Sequence, residues 1–223
     1  MSKVLNYEDK YDKQGADDKW LITWGYGDGT FWHLHHTLSG SRWRDMLKRC
    51  DPNSAYCKKN PIYIGTHNGF KDFQEFAEWS MSEYGYNLTS VAASGKPRMW
   101  QIEKDLLSGS SKTYSPGTCL YVPPEVNLYT TCKKRFLKQT PLGVKIDSRK
   151  GRFIARLTQC GTETHLGVFD DMYEAHRAWQ KAKVVHGRNL CDRYKEHEKM
   201  VVALSSNVDK IENDLMTGKE TSY

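Results

Sequence analysis

Polar and apolar side chains alternate with a period of two through three short segments in the last third of the chain. Val144 and Ile146 alternate with Lys145 and Asp147. Phe153, Ala155 and Leu157 alternate with Arg152, Ile154, Arg156 and Thr158, and Leu166 and Val168 alternate with His165, Gly167 and Phe169. This spacing predicts three half-buried strands, with turns at Ser148-Arg149-Lys150-Gly151 and Gln159-Cys160-Gly161. The period then lengthens. Asp170 and Asp171 suit a helix N-terminus, and Tyr173, Ala175, Ala178, Trp179, Ala182 and Val185 form an apolar stripe at helical spacing. Small alanines predict a helix lying close on one sheet face. The opposite face then carries Lys145, Arg152, Arg156, Thr158 and His165.

Elsewhere the pattern is coarser. Residues 20–38 read as an aromatic hairpin broken by Gly25, Gly27, Asp28 and Gly29. Trp43, Met46, Leu47 and Cys50 predict a helix over 41–50, and Phe73, Phe76 and Ala77 a second over 70–79. Ile62 and Ile64 predict a short strand, Trp100 to Leu106 another, and Pro123 to Tyr129 a closing segment; residues 51–60 and 81–98 read as loops. Met200, Val201, Leu204, Val208, Ile211 and Leu215 predict a helix over 194–216 that packs on one of the domains.

Composition narrows the class. The 223 residues carry a net charge of +6, and the charge is uneven. Residues 129–199 hold 16 Lys/Arg against 8 Asp/Glu, whereas the remainder holds 17 against 19. Such concentration is the electrostatic footprint of a phosphate-binding surface. Cys132-Lys133-Lys134-Arg135 and Lys138 precede the first strand and suit backbone contacts that set affinity without reading sequence. A solvated sheet whose basic residues serve only solubility is the plain alternative. No apolar run approaches the roughly 18–20 residues needed to span a bilayer, and the first ten residues lack a secretion segment. Six scattered cysteines then read as reduced thiols in a soluble cytoplasmic protein with no membrane partner.

The segment GVK…GRFIARL…HLGVFDDMYEAHRAW resembles the DNA-binding domain of plant ethylene-response factors, the APETALA type. The resemblance covers about 45 residues and implies a three-stranded sheet in the major groove of double-stranded DNA, with contacts from Lys145, Arg149, Lys150, Arg152, Arg156, Thr158 and His165. Glu163 and His165 depart from the arginine and tryptophan common in that family.

A second resemblance covers about residues 40–128. WRDMLKRC, then FKDFQEFAEW, then IEKDLLSGSSKTYSPGTCLYVPPEVN is similar to phage-encoded proteins related to HNH homing endonucleases. It implies a small ββα-metal nuclease fold joined to a separate DNA-binding module. Phosphodiester hydrolysis needs a divalent cation on the scissile phosphate and a base to activate water. Mg²⁺, or Mn²⁺ in its place, prefers oxygen ligands. Glu103 and Asp105, two apart on a strand, would point to one face and share the cation. Asn127 would position phosphate, Lys104 or Lys112 would neutralise charge, and His67 is a candidate base. His33, His35 and His36 are another histidine source, without a zinc spacing to any cysteine pair. The sequence departs from that family at Thr118, where asparagine is common, and at Glu103, which replaces aspartate; no histidine accompanies the two acids.

The expected architecture is α+β: an N-terminal extension (1–39), an HNH-like region (40–128), a three-stranded antiparallel sheet packed on one helix (129–193), and a C-terminal helix (194–223). The expected function is DNA binding with metal-dependent DNA cleavage. A catalytically inactive DNA-binding protein or phage regulator is the alternative. If phage-encoded, the protein would act in the host cytoplasm.

Overall fold

A computed structural model describes residues 38–91, 95–109, 111–130, 140–148, 150–159 and 162–222. The predicted aromatic hairpin with His33, His35 and His36, the basic run Lys133–Arg135 with Lys138, and Arg149 lie outside them. The chain mixes helices and short strands and divides into two compact units. Of the described residues, one comprises 38–86, 102–109 and 111–121; the other comprises 87–91, 95–101, 122–130, 140–148, 150–159 and 162–222.

In the first unit, helix α1 (Leu38–Cys50) buries Trp43 and Met46. Helix α2 (Ala55–Lys59) is capped by Ser54, whose hydroxyl accepts the Cys57 N–H at 3.0 Å. A single 3₁₀ turn spans Pro61–Tyr63 where a strand was expected. Pro61 removes a backbone donor and opens the turn, and Ile62 and Ile64 are left exposed rather than paired. Strand β1 (His67–Asn68) runs beside β5 (Thr113–Tyr114) in parallel. Helix α3 (Phe73–Ser82) starts at Asp72, which accepts the Glu75 N–H at 2.9 Å. The core is aromatic. Trp43 meets Phe73 and Phe76 with centroids 6.1 and 5.1 Å apart, and Trp79 stacks on Tyr121 at 5.9 Å. The Arg42 guanidinium lies 4.4 Å from the Tyr121 ring centroid, covering the cluster with a cation–π contact.

The predicted strand from Trp100 to Leu106 is shorter than expected. Strand β4 covers only Gln101–Glu103, and Asp105 begins helix α4 (Asp105–Ser108). The Glu103 carboxylate accepts the Leu106 N–H at 2.6 Å and so satisfies one backbone donor in the first turn of α4. The segment expected as loop before it holds an antiparallel pair, β2 (Thr89–Val91) with β3 (Pro97–Met99). Strand β6 (Leu120–Val122) follows β5, and the closing segment is a helix, α5 (Pro124–Thr130).

In the second unit, β7 (Val144–Asp147), β8 (Arg152–Gln159) and β9 (Thr162–Phe169) form an antiparallel sheet in that order. Helix α6 (Met172–Arg193) covers one face, its N-cap Asp171 accepting the Glu174 N–H. Val144, Ala155 and Ala175 centre that contact, joined by Phe153, Leu166, Phe169, Met172 and Ala178. Helix α7 (Glu198–Met216) packs on α6 through Met200, Leu204, Val208 and Ile211, which are fully buried. Gly187 permits the approach, because a Cβ there would meet Val208 Cγ2 at 2.3 Å and the Tyr129 hydroxyl at 2.5 Å.

The buried face of α6 differs from the predicted stripe. The apolar stripe of α6 was to include Tyr173 and Val185, but both are exposed, and His176, Gln180 and Lys183 are buried instead. Helix α6 packs against both the sheet and α7, and its buried surface includes polar groups with fixed partners. His176 Nδ1 donates to Leu142 O at 2.9 Å while Nε2 accepts the Thr221 N–H. Lys183 Nζ donates to Tyr129 O at 2.6 Å.

A candidate nucleic-acid interface and a carboxylate pair

The uncovered sheet face is built by register. Lys145 pairs with Ile154, which pairs with Val168; Arg156 pairs with His165, Thr158 with Glu163, and Asp147 with Arg152. The β8–β9 register shifts between Ala155 and Arg156, which leaves Leu166 as the extra residue of a bulge. Gly167 takes φ +144° there. The shift sends Leu166 toward the core and Val168 outward, against the simple alternation that placed both inside; Val168 is 41% exposed. His165 consequently sits beside Arg156 on the open face.

That face carries both signs of charge. Arg152 Nε donates to Asp170 Oδ1 at 2.7 Å, and Arg156 is ion-paired with Glu163. Both guanidinium groups are partly solvent-accessible, with side-chain exposures of 43% and 30%. Lys145, Lys150, Thr158 and His165 are exposed, and among the described residues Lys145 and Lys150 have no ion-pair partner. Lys145, Ile154 and Val168 form one cross-strand row, beside the Arg156–His165 pair. A sheet can enter the major groove, where arginine reads guanine and an apolar side chain meets the thymine methyl.

The carboxylates singled out by sequence lie in the first unit. Glu103 is 8% exposed, and burial pushes it above the usual carboxylate range; the nearby Asp105 charge adds to this and the Leu106 N–H opposes it. Asp105 is exposed and ion-paired with the buried Lys104, whose Nζ also donates to Ser111 O at 3.0 Å. The two acids are close enough to repel, but they do not project from one strand. His67 is exposed, its N–H donating to Lys112 O at 2.8 Å in the β1–β5 pairing. Lys112 Nζ donates to the carbonyls of Ile62 and Ile64, tying down the 3₁₀ turn. Asn127 belongs to the second unit, on α5, and donates to Gln101 Oε1 at 2.6 Å. The structure therefore groups Glu103 and Asp105 with Lys104 and leaves Asn127 in a different body.

Glu103 and Asp105 are the two carboxylates from which a Mg²⁺ site would have to be built. Among the described residues no group of three or more His, Cys, Asp or Glu side chains is arranged to hold a metal ion. Burial raises the Cys50 and Cys119 thiols to about 11, which favours the protonated form at neutral pH. Sequence reasoning overlooked Arg49, in the last turn of α1. Its guanidinium donates to the Tyr114 hydroxyl at 3.3 Å and lies 5.6 Å from the Tyr63 ring centroid. A basic residue at a helix C-terminus reads as a partner of the helix dipole, and no spacing distinguishes it from Lys48.

No helix among the described residues is long and apolar enough to cross a membrane. Comparison with protein-family models, curated proteins and solved structures finds no match to this chain.

Proposed function

We propose that the protein binds double-stranded DNA, with the open face of β7, β8 and β9 lying in the major groove. The observation that carries this is the cross-strand arrangement itself. Arg156 and His165 are neighbours on a solvent-facing sheet, beside the Lys145–Ile154–Val168 row and opposite the helix-covered face. Lys145 and Lys150 would neutralise phosphates, a sequence-independent contribution that weakens with salt. Arg156, Thr158 and His165 would face base edges. Glu163 already holds Arg156 in place, and such a charge-assisted contact orients a guanidinium for a forked interaction.

The test is fluorescence anisotropy of a labelled random-sequence duplex across a salt series, with the full chain. Lys145→Ala should weaken all sequences alike and reduce the salt slope by about one, whereas Arg156→Ala should cost about 1–3 kcal/mol and relax any sequence preference. Absence of salt-dependent duplex binding by the unaltered chain would refute the proposal.

A second reading adds hydrolysis of DNA phosphodiesters by the first unit. It rests on Glu103 and Asp105 lying close enough to interact, an arrangement in which one Mg²⁺ or Mn²⁺ would relieve their repulsion. Incubation of long DNA with Mg²⁺ should give discrete fragments, lost in Asp105→Ala. Binding without cleavage in either metal would leave DNA recognition as the whole activity, with the first unit a scaffold.

A further inference from the structure

We propose that Arg49, framed by Tyr63 and Tyr114, is a phosphodiester-binding residue of the first unit. The inference rests on the DNA-binding reading and adds a second point of contact, remote in sequence from the sheet. Three observations support it. First, Arg49 is partly buried, yet among the described residues no carboxylate forms an ion pair with it. Its hydrogen bond runs to a neutral phenol, the Tyr114 hydroxyl. A guanidinium has five N–H donors, and those of Arg49 not used on Tyr114 are not among the buried unpartnered polar atoms, so they reach solvent, where an anion can accept from them.

Second, the surroundings fix the group rather than satisfy it. Tyr63 lies against the guanidinium at 5.6 Å, and the turn carrying Tyr63 is held by Lys112 through the Ile62 and Ile64 carbonyls. Tyr114 is fully buried in β5 and cannot turn away. The guanidinium donors not used on Tyr114 remain to receive a planar or tetrahedral oxyanion.

Third, a second cation sits on the other partner. Lys104 Nζ lies 5.8 Å from the Tyr114 ring centroid and is paired with Asp105. Tyr63 is in turn close enough to Asp105 to feel its charge. Arg49 thus belongs to the same cluster as the candidate carboxylates.

The test uses the full chain, the random-sequence duplex and two variants whose unfolding midpoints are recorded. Arg49→Met keeps the length of the side chain and removes its charge. It should reduce the salt slope by about one and weaken binding about tenfold at low salt. Arg49→Lys keeps the charge but not the fork, so its slope should match the unaltered chain while affinity falls about threefold. Unchanged affinity and slope in Arg49→Met overturns this site while leaving the sheet proposal standing. Should Arg49→Met fail to fold, Arg49→Lys decides, and affinity equal to the unaltered chain overturns the site. If the unaltered chain does not bind the duplex, both proposals fail together.

Discussion

Gly143 lies directly under the indole of Trp179: a Cβ built on the glycine would meet Trp179 Cγ and Cδ1 at 2.0 Å. The same residue takes φ +76°, a conformation that side-chain-bearing residues avoid. Its carbonyl accepts the Arg156 N–H at 2.8 Å, so the glycine fixes both the start of β7 and the seat of α6. Gly143→Ala combines a left-handed backbone penalty of about 1–2 kcal/mol with overpacking of about 1–3 kcal/mol. The expected outcome is a loss of at least about 2 kcal/mol in urea unfolding followed by circular dichroism.

Acid should weaken the second unit. His186 packs against the Tyr129 ring, and burial, then the Lys183 and Arg193 charges, lower it to about 4. Its ordinary value is about 6.5. Between those values the unfolded chain binds a proton that the folded chain refuses. Stability is therefore complete above about pH 6.5 and declines as pH falls toward 4. His176, also lowered by burial and already using both ring nitrogens, acts in the same direction. Because His186 is half exposed, solvent screening leaves about 1 kcal/mol, or roughly 2–4 °C in unfolding midpoint. His186→Phe should flatten that part of the midpoint–pH curve, and a curve unaltered by the substitution would assign the acid sensitivity elsewhere.

The sheet and its helices were legible because they are long and periodic. Val144, Ala155 and Leu157 are buried where a period of two put them, and Met200, Leu204, Val208 and Ile211 where a period near 3.6 put them. The open face was legible too, at Lys145, Arg152, Arg156, Thr158 and His165. What escaped depended on partners rather than period. The bulge at Leu166 turns Val168 outward, and nothing local marks it except Gly167. The buried Gln180 is invisible until Thr221, which accepts from it at 2.9 Å, is brought alongside. Short elements fared worst: Ile62 and Ile64 look like a strand, but two β-branched residues carry no pairing information. At the candidate site, the acids Glu103 and Asp105 stood out by type, whereas Arg49 acquires its meaning only from Tyr63 and Tyr114, which lie 14 and 65 positions later in the sequence.

Glu103 separates two roles that a single alanine would confuse. Its carboxylate accepts the Leu106 N–H at 2.6 Å, so Glu103→Ala removes a helix-capping acceptor and should cost about 1 kcal/mol. Glutamine retains a carbonyl oxygen at the same place and relieves the burial of a charge. Glu103→Gln should therefore unfold within about 0.5 kcal/mol of the unaltered chain. Any Mg²⁺-dependent nicking should vanish in both, since an amide is a poor replacement for an anionic ligand. Nicking that persists in a stably folded Glu103→Gln protein would remove Glu103 from the metal site and leave it a structural cap.

Glu163 offers the sharpest probe of the sheet. Its carboxylate is paired with Arg156 on the open face and opposes an approaching phosphate backbone. As an exposed pair it contributes at most about 1 kcal/mol to folding, so the substitution reports on binding rather than on stability. Glu163→Gln keeps an oxygen for the guanidinium to donate to, preserving its aim, and removes one negative charge. Duplex affinity should rise about 3- to 10-fold at low salt, and the gain should shrink as added salt screens the charge. In an Arg156→Ala background the same substitution should give a smaller gain, because only the general repulsion remains to be relieved; the difference between the two gains measures the coupling of Glu163 to Arg156 in the complex. Equal gains in the two backgrounds would mean that Arg156 does not meet the duplex. No gain in either would mean that this face of the sheet does not meet it.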